Sequence, residues 1–179
     1  MGGQRQQPEP LAPSARGERS FGNGRNSRNE PCLLGRYCRR LRKSCASGSG
    51  GYWHGNGYFK ALGATIVAQK EADRVMRDMG AGQLDSNKTL LKEKADGTVL
   101  AYPTETFDAK RELKLGKTTL QLLHFGSAHT PGDIVVWLPA QKIVFAGDIV
   151  FTERMLAIIP IGHTGGWVQA FDKLVALKP

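Results

Sequence analysis

A chain of 179 residues, 40% of them hydrophobic, is long enough for one domain with a core of its own. No run approaches the ~18 apolar residues of a membrane span, and the N-terminus lacks the apolar stretch of a secretory signal, so the chain as written reads as cytoplasmic. The formal charge of +9 points to a nucleic-acid partner only until it is located: residues 1–50 hold ten basic and three acidic residues, and the remainder holds fifteen and thirteen. The globular part is therefore nearly neutral, which weighs against nucleic acid as its partner.

Residues 1–51 form a segment apart from 52–179. Nine of the ten basic residues in the first fifty are Arg, and that stretch contains no Val, Ile, Thr or Asp. It cannot bury enough apolar surface to offset its ordering entropy, so it is expected to be disordered, with one weak, basic helical candidate from Leu33 to Lys43. Cys32, Cys38 and Cys45 fit neither a zinc knuckle nor a redox pair, and they read as incidental. Composition alone also suits an Arg-rich tail for nucleic acid or a transit peptide.

Globular signals begin near Gly55. Tyr58, Phe59 and Leu62 fall at helical spacing, with Gly63 as a C-terminal glycine. Ala64–Ala68 reads as a short buried strand. Lys70 to Met79 reads as a helix with Ala72, Val75, Met76 and Met79 on its apolar stripe. Residues 84–96 suit either a second helix or a lid-like loop, and Asp96-Gly97 a turn. Residues 111–115 and 118–125 predict a hairpin around Gly116-Lys117. Strands follow at 134–139 and 142–147, and Trp167, Phe171, Leu174 and Leu177 mark the apolar face of a last helix. Interleaved strands and helices give an α/β fold.

The chemistry concentrates in Gly126-Ser127-Ala128-His129-Thr130-Pro131-Gly132-Asp133 and, two apolar strands later, Gly147-Asp148. A histidine and an aspartate each stand where a strand meets a glycine-bearing turn, at the rim of a sheet. Together they suit a divalent metal, most often zinc. Taken alone, the same residues also suit two turns whose polar groups merely cap strands.

The pattern A-H-T-P-G-D-I-V-V-W-L-P…K-I-V-F-A-G-D-I-V-F closely resembles the metallo-β-lactamase-fold hydrolases, over about Gly55 to Pro179. The resemblance implies an αββα sandwich, with only its central part present in this chain. It also implies that His129 is a metal ligand and Asp148 a carboxylate bridging two zinc ions. Thr130, Gly132, Asp133 and Gly147 would support the motif, with Asp133 bonding the backbone of the His129 turn. In these hydrolases a motif H-x-H-x-D-H lies two residues before a pair such as Gly55-Asn56. The corresponding residues here are Ser47-Gly48-Ser49-Gly50-Gly51-Tyr52, with no ligand among them. The family's last histidine, in a P-G-H turn, would fall beyond Leu177-Lys178-Pro179. The domain is thus expected to be truncated at both ends, with residues 1–51 a frameshifted or mis-called start.

Other candidates are weaker. His124 alternates with Leu120 and Leu122 and is expected to be packed or hydrogen-bonded. His163 lies in a Gly-rich loop that the resemblance places beside the active site, where substrate contact competes with an exposed His163 preceding a helix capped by Thr164. Glu105 and Asp108 read as surface. The expected function is zinc-dependent hydrolysis of an ester, thioester or amide (lactam) bond in a small-molecule substrate. The alternatives are a non-catalytic remnant that binds zinc weakly or not at all, and a nucleic-acid-binding tail.

Overall fold

The computed structural model describes the backbone of residues 43–46 and all of residues 53–179. The helical candidate Leu33–Lys43 and the expected disorder of residues 1–51 lie outside the described residues, except at Lys43–Ala46. Those four residues form strand β1, paired in parallel with β2 (Thr65–Gln69) through the register Lys43↔Thr65 to Ala46↔Ala68. Pairing to an existing strand uses main-chain groups alone, so a segment poor in apolar residues can still supply an edge strand.

Helix α1 (Asn56–Ala61) leads into β2, and Leu62 closes it before Gly63 turns the chain at φ +78°. Helix α2 (Lys70–Leu91) is continuous where a break after Met79 was expected, and it ends in a 3₁₀ turn at Lys92–Ala95. Its buried stripe is Ala72, Val75, Met76 and Gly80, while Met79 is exposed. Glycine replaces the expected apolar side chain because the Trp53 ring packs against that turn; a Cβ on Gly80 would sit 2.7 Å from the ring. Trp53 Nε1 also donates to Gln83 Oε1 at 3.0 Å, and His54 Nδ1 lies 2.7 Å from Asn87 Nδ2. These contacts hold the second half of the helix, so tertiary packing overrides the poor propensity of Gly80-Ala81-Gly82.

Strand β3 (Glu105–Phe107) adds to β2 in parallel. Glu105 is thus a half-buried strand residue paired with Arg111, whereas Asp108 is exposed and meets Lys70 at 3.3 Å. The expected hairpin is present as β4 (Lys110–Leu115) and β5 (Thr118–Leu123). Strands β6 (Val135–Leu138) and β7 (Ile143–Phe145) extend it to an antiparallel sheet of order β4-β5-β6-β7. Among the described residues β7 is an edge strand, so Ile143 and Phe145 are exposed rather than core. Helix α3 (Thr164–Ala176) ends the chain, burying Trp167, Ala170 and Leu174.

The burial pattern sorts these elements into four layers. Val67 and Phe107 of the parallel sheet meet Leu113, Leu120, Leu122 and Leu138 of the antiparallel sheet in one cluster. Ala68, one residue from Val67, faces the other way and packs with Trp53, Ala72 and Met76 of the α2 layer. On the far side Leu123, Val135 and Trp137 pack against Trp167, Ala170 and Leu174 of α3. Alternation along β6 produces this: Val135 and Trp137 face α3, while Val136 and Leu138 face the other sheet. The fold is an αββα sandwich.

Candidate metal site

β5 and β7 end, and β6 begins, at the same edge of the antiparallel sheet, because neighbouring strands alternate in direction. The turn between β5 and β6 and the 3₁₀ turn Gly147–Ile149 after β7 are therefore neighbours in space. The first carries His129 and the second Asp148. Their side chains converge, with His129 Nε2 at 3.8 Å from Asp148 Oδ2, and both are largely buried.

Asp133 builds the histidine turn. Its Oδ2 accepts from the Thr130 N–H at 2.8 Å and its Oδ1 from the Thr130 hydroxyl at 2.5 Å. All three groups are buried, so each bond spares a desolvated polar group from being left unpaired. Burial pushes the Asp133 carboxyl above its ordinary range; the two Thr130 hydrogen bonds and the nearby His129 imidazole oppose that rise, and Asp148 adds to it. Gly132 is fixed by space, since a Cβ there would collide with the backbone of Ala72 at the start of α2. From the other side His124 Nδ1 lies 2.7 Å from the Asp133 carbonyl, which can only accept, so His124 donates and ties the end of β5 to the turn.

His129 Nδ1 lies 2.7 Å from the carbonyl oxygen of Ala157. A carbonyl cannot donate, so Nδ1 carries a proton, and Nε2 is the nitrogen turned toward Asp148. Nε2 and the Asp148 carboxylate are thus placed to share a proton or a cation. The ring plane is set by apolar neighbours, Trp167 edge-on at 5.6 Å between centroids and Phe151 at 6.3 Å. Nothing in the sequence marks the Ala157 carbonyl, because a backbone oxygen has no residue-type signature.

His163 caps the neighbouring helix. It is the N-cap of α3, its Nδ1 accepting from the Gly166 N–H at 2.7 Å. The cap expected at Thr164 is thus one residue earlier, with an imidazole nitrogen in place of a hydroxyl. Beside the pair, Ile149, Phe151, Leu156, Ile158, Trp167 and Phe171 contribute to an apolar cavity of about 310 Å³.

The family described as "Metallo-beta-lactamase superfamily" matches residues 53–179, most of the chain and all of the sandwich except β1. The chain belongs to the metallo-beta-lactamase superfamily. Among curated relatives, it is similar to the "Metallo-beta-lactamase type 2" of Elizabethkingia meningoseptica, 26% identical over 119 residues, which cover 65% of this chain and 40% of that one. The enzyme of the same name from Bacteroides fragilis is 27% identical over 135 residues, or 72% and 47% of the two chains. The chain thus spans less than half the length of these curated metallo-beta-lactamase relatives. Among solved structures, the metallo-beta-lactamase from Pontibacter korlensis superposes with a TM-score of 0.58 at 19% identity, covering 73% of this chain and 53% of that one. A metallo-beta-lactamase family protein from Thermus thermophilus gives 0.57 at 17% identity, covering 75% and 51%.

In kind, the donor pair suits a divalent metal such as zinc. An imidazole whose second nitrogen is held by a carbonyl, facing a carboxylate, is oriented as histidine ligands commonly are. The pair falls short in number, because no group of three or more His, Cys, Asp or Glu side chains able to hold a metal occurs among the described residues. Among those residues, too, no helix is long and apolar enough to cross a membrane.

Proposed function

We propose that this chain carries part of the metal centre of a zinc-dependent hydrolase, acting on an ester, thioester or amide (lactam) bond of a small molecule. The observation that carries the reading is the convergence of His129 Nε2 and Asp148 Oδ2 at 3.8 Å, with Nδ1 engaged by Ala157. His129 supplies a neutral nitrogen donor and Asp148 a charged oxygen donor. Zinc, when bound, would activate a water molecule for attack on the carbonyl. The neighbouring apolar cavity offers a surface for an apolar part of the substrate, close to where that attack would occur.

Number favours a second reading beside the first. Catalytic zinc takes three protein donors as a rule, and the pair supplies two. The 179-residue chain on its own is therefore expected to bind zinc no tighter than about micromolar and to act as a non-catalytic member of its superfamily. Equilibrium dialysis with zinc, followed by assays on a chromogenic lactam, a thioester and an aryl ester, separates the two. Chelator-sensitive turnover lost in both His129→Ala and Asp148→Ala supports the hydrolase. Weak zinc binding lost in both variants, with turnover at background, supports the non-catalytic reading. Zinc-dependent hydrolysis that survives both substitutions sinks the assignment of the site.

A further inference from the structure

The segment that delivers the Ala157 carbonyl lies backbone to backbone on the His129 turn. His163 N–H donates to the Ala128 carbonyl at 2.8 Å, and Gly162 N–H closes a turn on the Ile159 carbonyl at 2.9 Å. A Cβ on Gly162 would stand 2.9 Å from the His129 carbonyl oxygen and 3.0 Å from that of Ala128. A Cβ on Gly166 would collide with the Ser127 carbonyl oxygen. Neither glycine has a positive φ, unlike Gly126 or Gly147, so backbone conformation does not require glycine at these two positions. What requires it is the closeness of the two segments.

We infer that Gly162 and Gly166 are positioning residues for His129: by admitting this approach they hold the Ala157 carbonyl on Nδ1 and so aim the Nε2 lone pair at Asp148. The inference rests on the proposed ligand role of His129 for its purpose, but its physical content is the tautomer of a metal-free imidazole. A side chain at either glycine pushes residues 157–166 outward and lengthens the Nδ1–H···O contact. The ring is then free to place its proton on either nitrogen, and the donor facing Asp148 is lost from part of the population.

Long-range ¹H–¹⁵N spectra of the chelator-treated full chain, at a pH where imidazoles are neutral, read the tautomer directly. The sequence holds four histidines, and His129→Ala identifies the signals of His129. The wild type should favour the Nδ1–H form by about tenfold, the effect of one retained hydrogen bond. Gly162→Ala and Gly166→Ala should each bring the ratio near parity. Gly82→Ala, with open space around its Cβ, should leave it unchanged, and so should the signal of His124 in every variant. A wild-type proton on Nε2, or a tautomer ratio unmoved in the glycine variants, overturns the inference. Should Gly166→Ala not fold, Gly162→Ala carries the test, because its closest contact, 2.9 Å, is the milder of the two. If the tautomer behaves as stated while zinc binding is indifferent to His129→Ala, the ligand reading fails and the positioning role stands.

Discussion

Both oxygens of Asp133 are committed to Thr130. Replacing it with alanine strands a buried N–H and a buried hydroxyl, so Asp133→Ala should cost about 1–3 kcal/mol in urea unfolding. Thr130→Ser, which retains both donors, should cost less. His54 gives the chain a pH dependence of defined sign. Burial lowers its pKa from 6.5, so between that value and the lowered one the unfolded chain binds more protons than the folded one. Stability is therefore full above about 6.5 and is lost as pH falls through the folded pKa. His54→Gln should flatten that part of the profile, and an unchanged slope between pH 5 and 7 would refute it. At this scale the pairing of His129 with Asp148 was suggested by the family resemblance, since turn position alone suits strand capping equally well. The Ala157 carbonyl was not, since a main-chain atom is chosen by the path of the chain, and the His163 cap was hidden because hydroxyl and carboxamide side chains dominate that position.

Helix α2 shows how an element can be legible in half of its length. The stripe from Ala72 to Met76 has helical periodicity, but Gly80-Ala81-Gly82 is a local argument for stopping, and only Trp53 and His54, distant in sequence, reverse it. The two glycines should then respond with opposite signs. Gly82→Ala meets nothing and should stabilise by about 0.5–1 kcal/mol, the usual helical advantage of alanine. Gly80→Ala drives its Cβ into the Trp53 ring and should destabilise, by about 1–3 kcal/mol for overpacking. Thermal melts of the two variants decide it, and stabilisation by both would show that Trp53 can move aside. The β4–β5 hairpin was readable because turn and alternation agree. Strands β1 and β3, of four and three residues, were not, being too short for a period to show.

The four-layer arrangement follows from alternation in a few strands, and Leu122 stands at its middle, fully buried between the sheets. Leu122→Ala should cost about 2–5 kcal/mol, more than truncation of the exposed Ile143, as chemical denaturation would show. The sandwich itself was legible mainly through its resemblance to a family, since periodicity gave strands and helices but no pairing order. Parallel pairing joins residues far apart in the chain and leaves no local mark. The two sheets differ in that respect, and the difference bears on the order in which the molecule assembles. Strands β4 to β7 occupy residues 110–145 and join by successive antiparallel neighbours, whereas β1, β2 and β3 come from residues 43–107 with helices between them. Closing short loops is fast and closing long ones is slow, so the antiparallel sheet should nucleate first. Pulse-labelled hydrogen exchange during refolding should protect the amides of Leu122 and Val136 before those of Val67 and Ala68. His129 lies within that unit and Asp148 in the turn directly after it, so their meeting would precede completion of the domain around them.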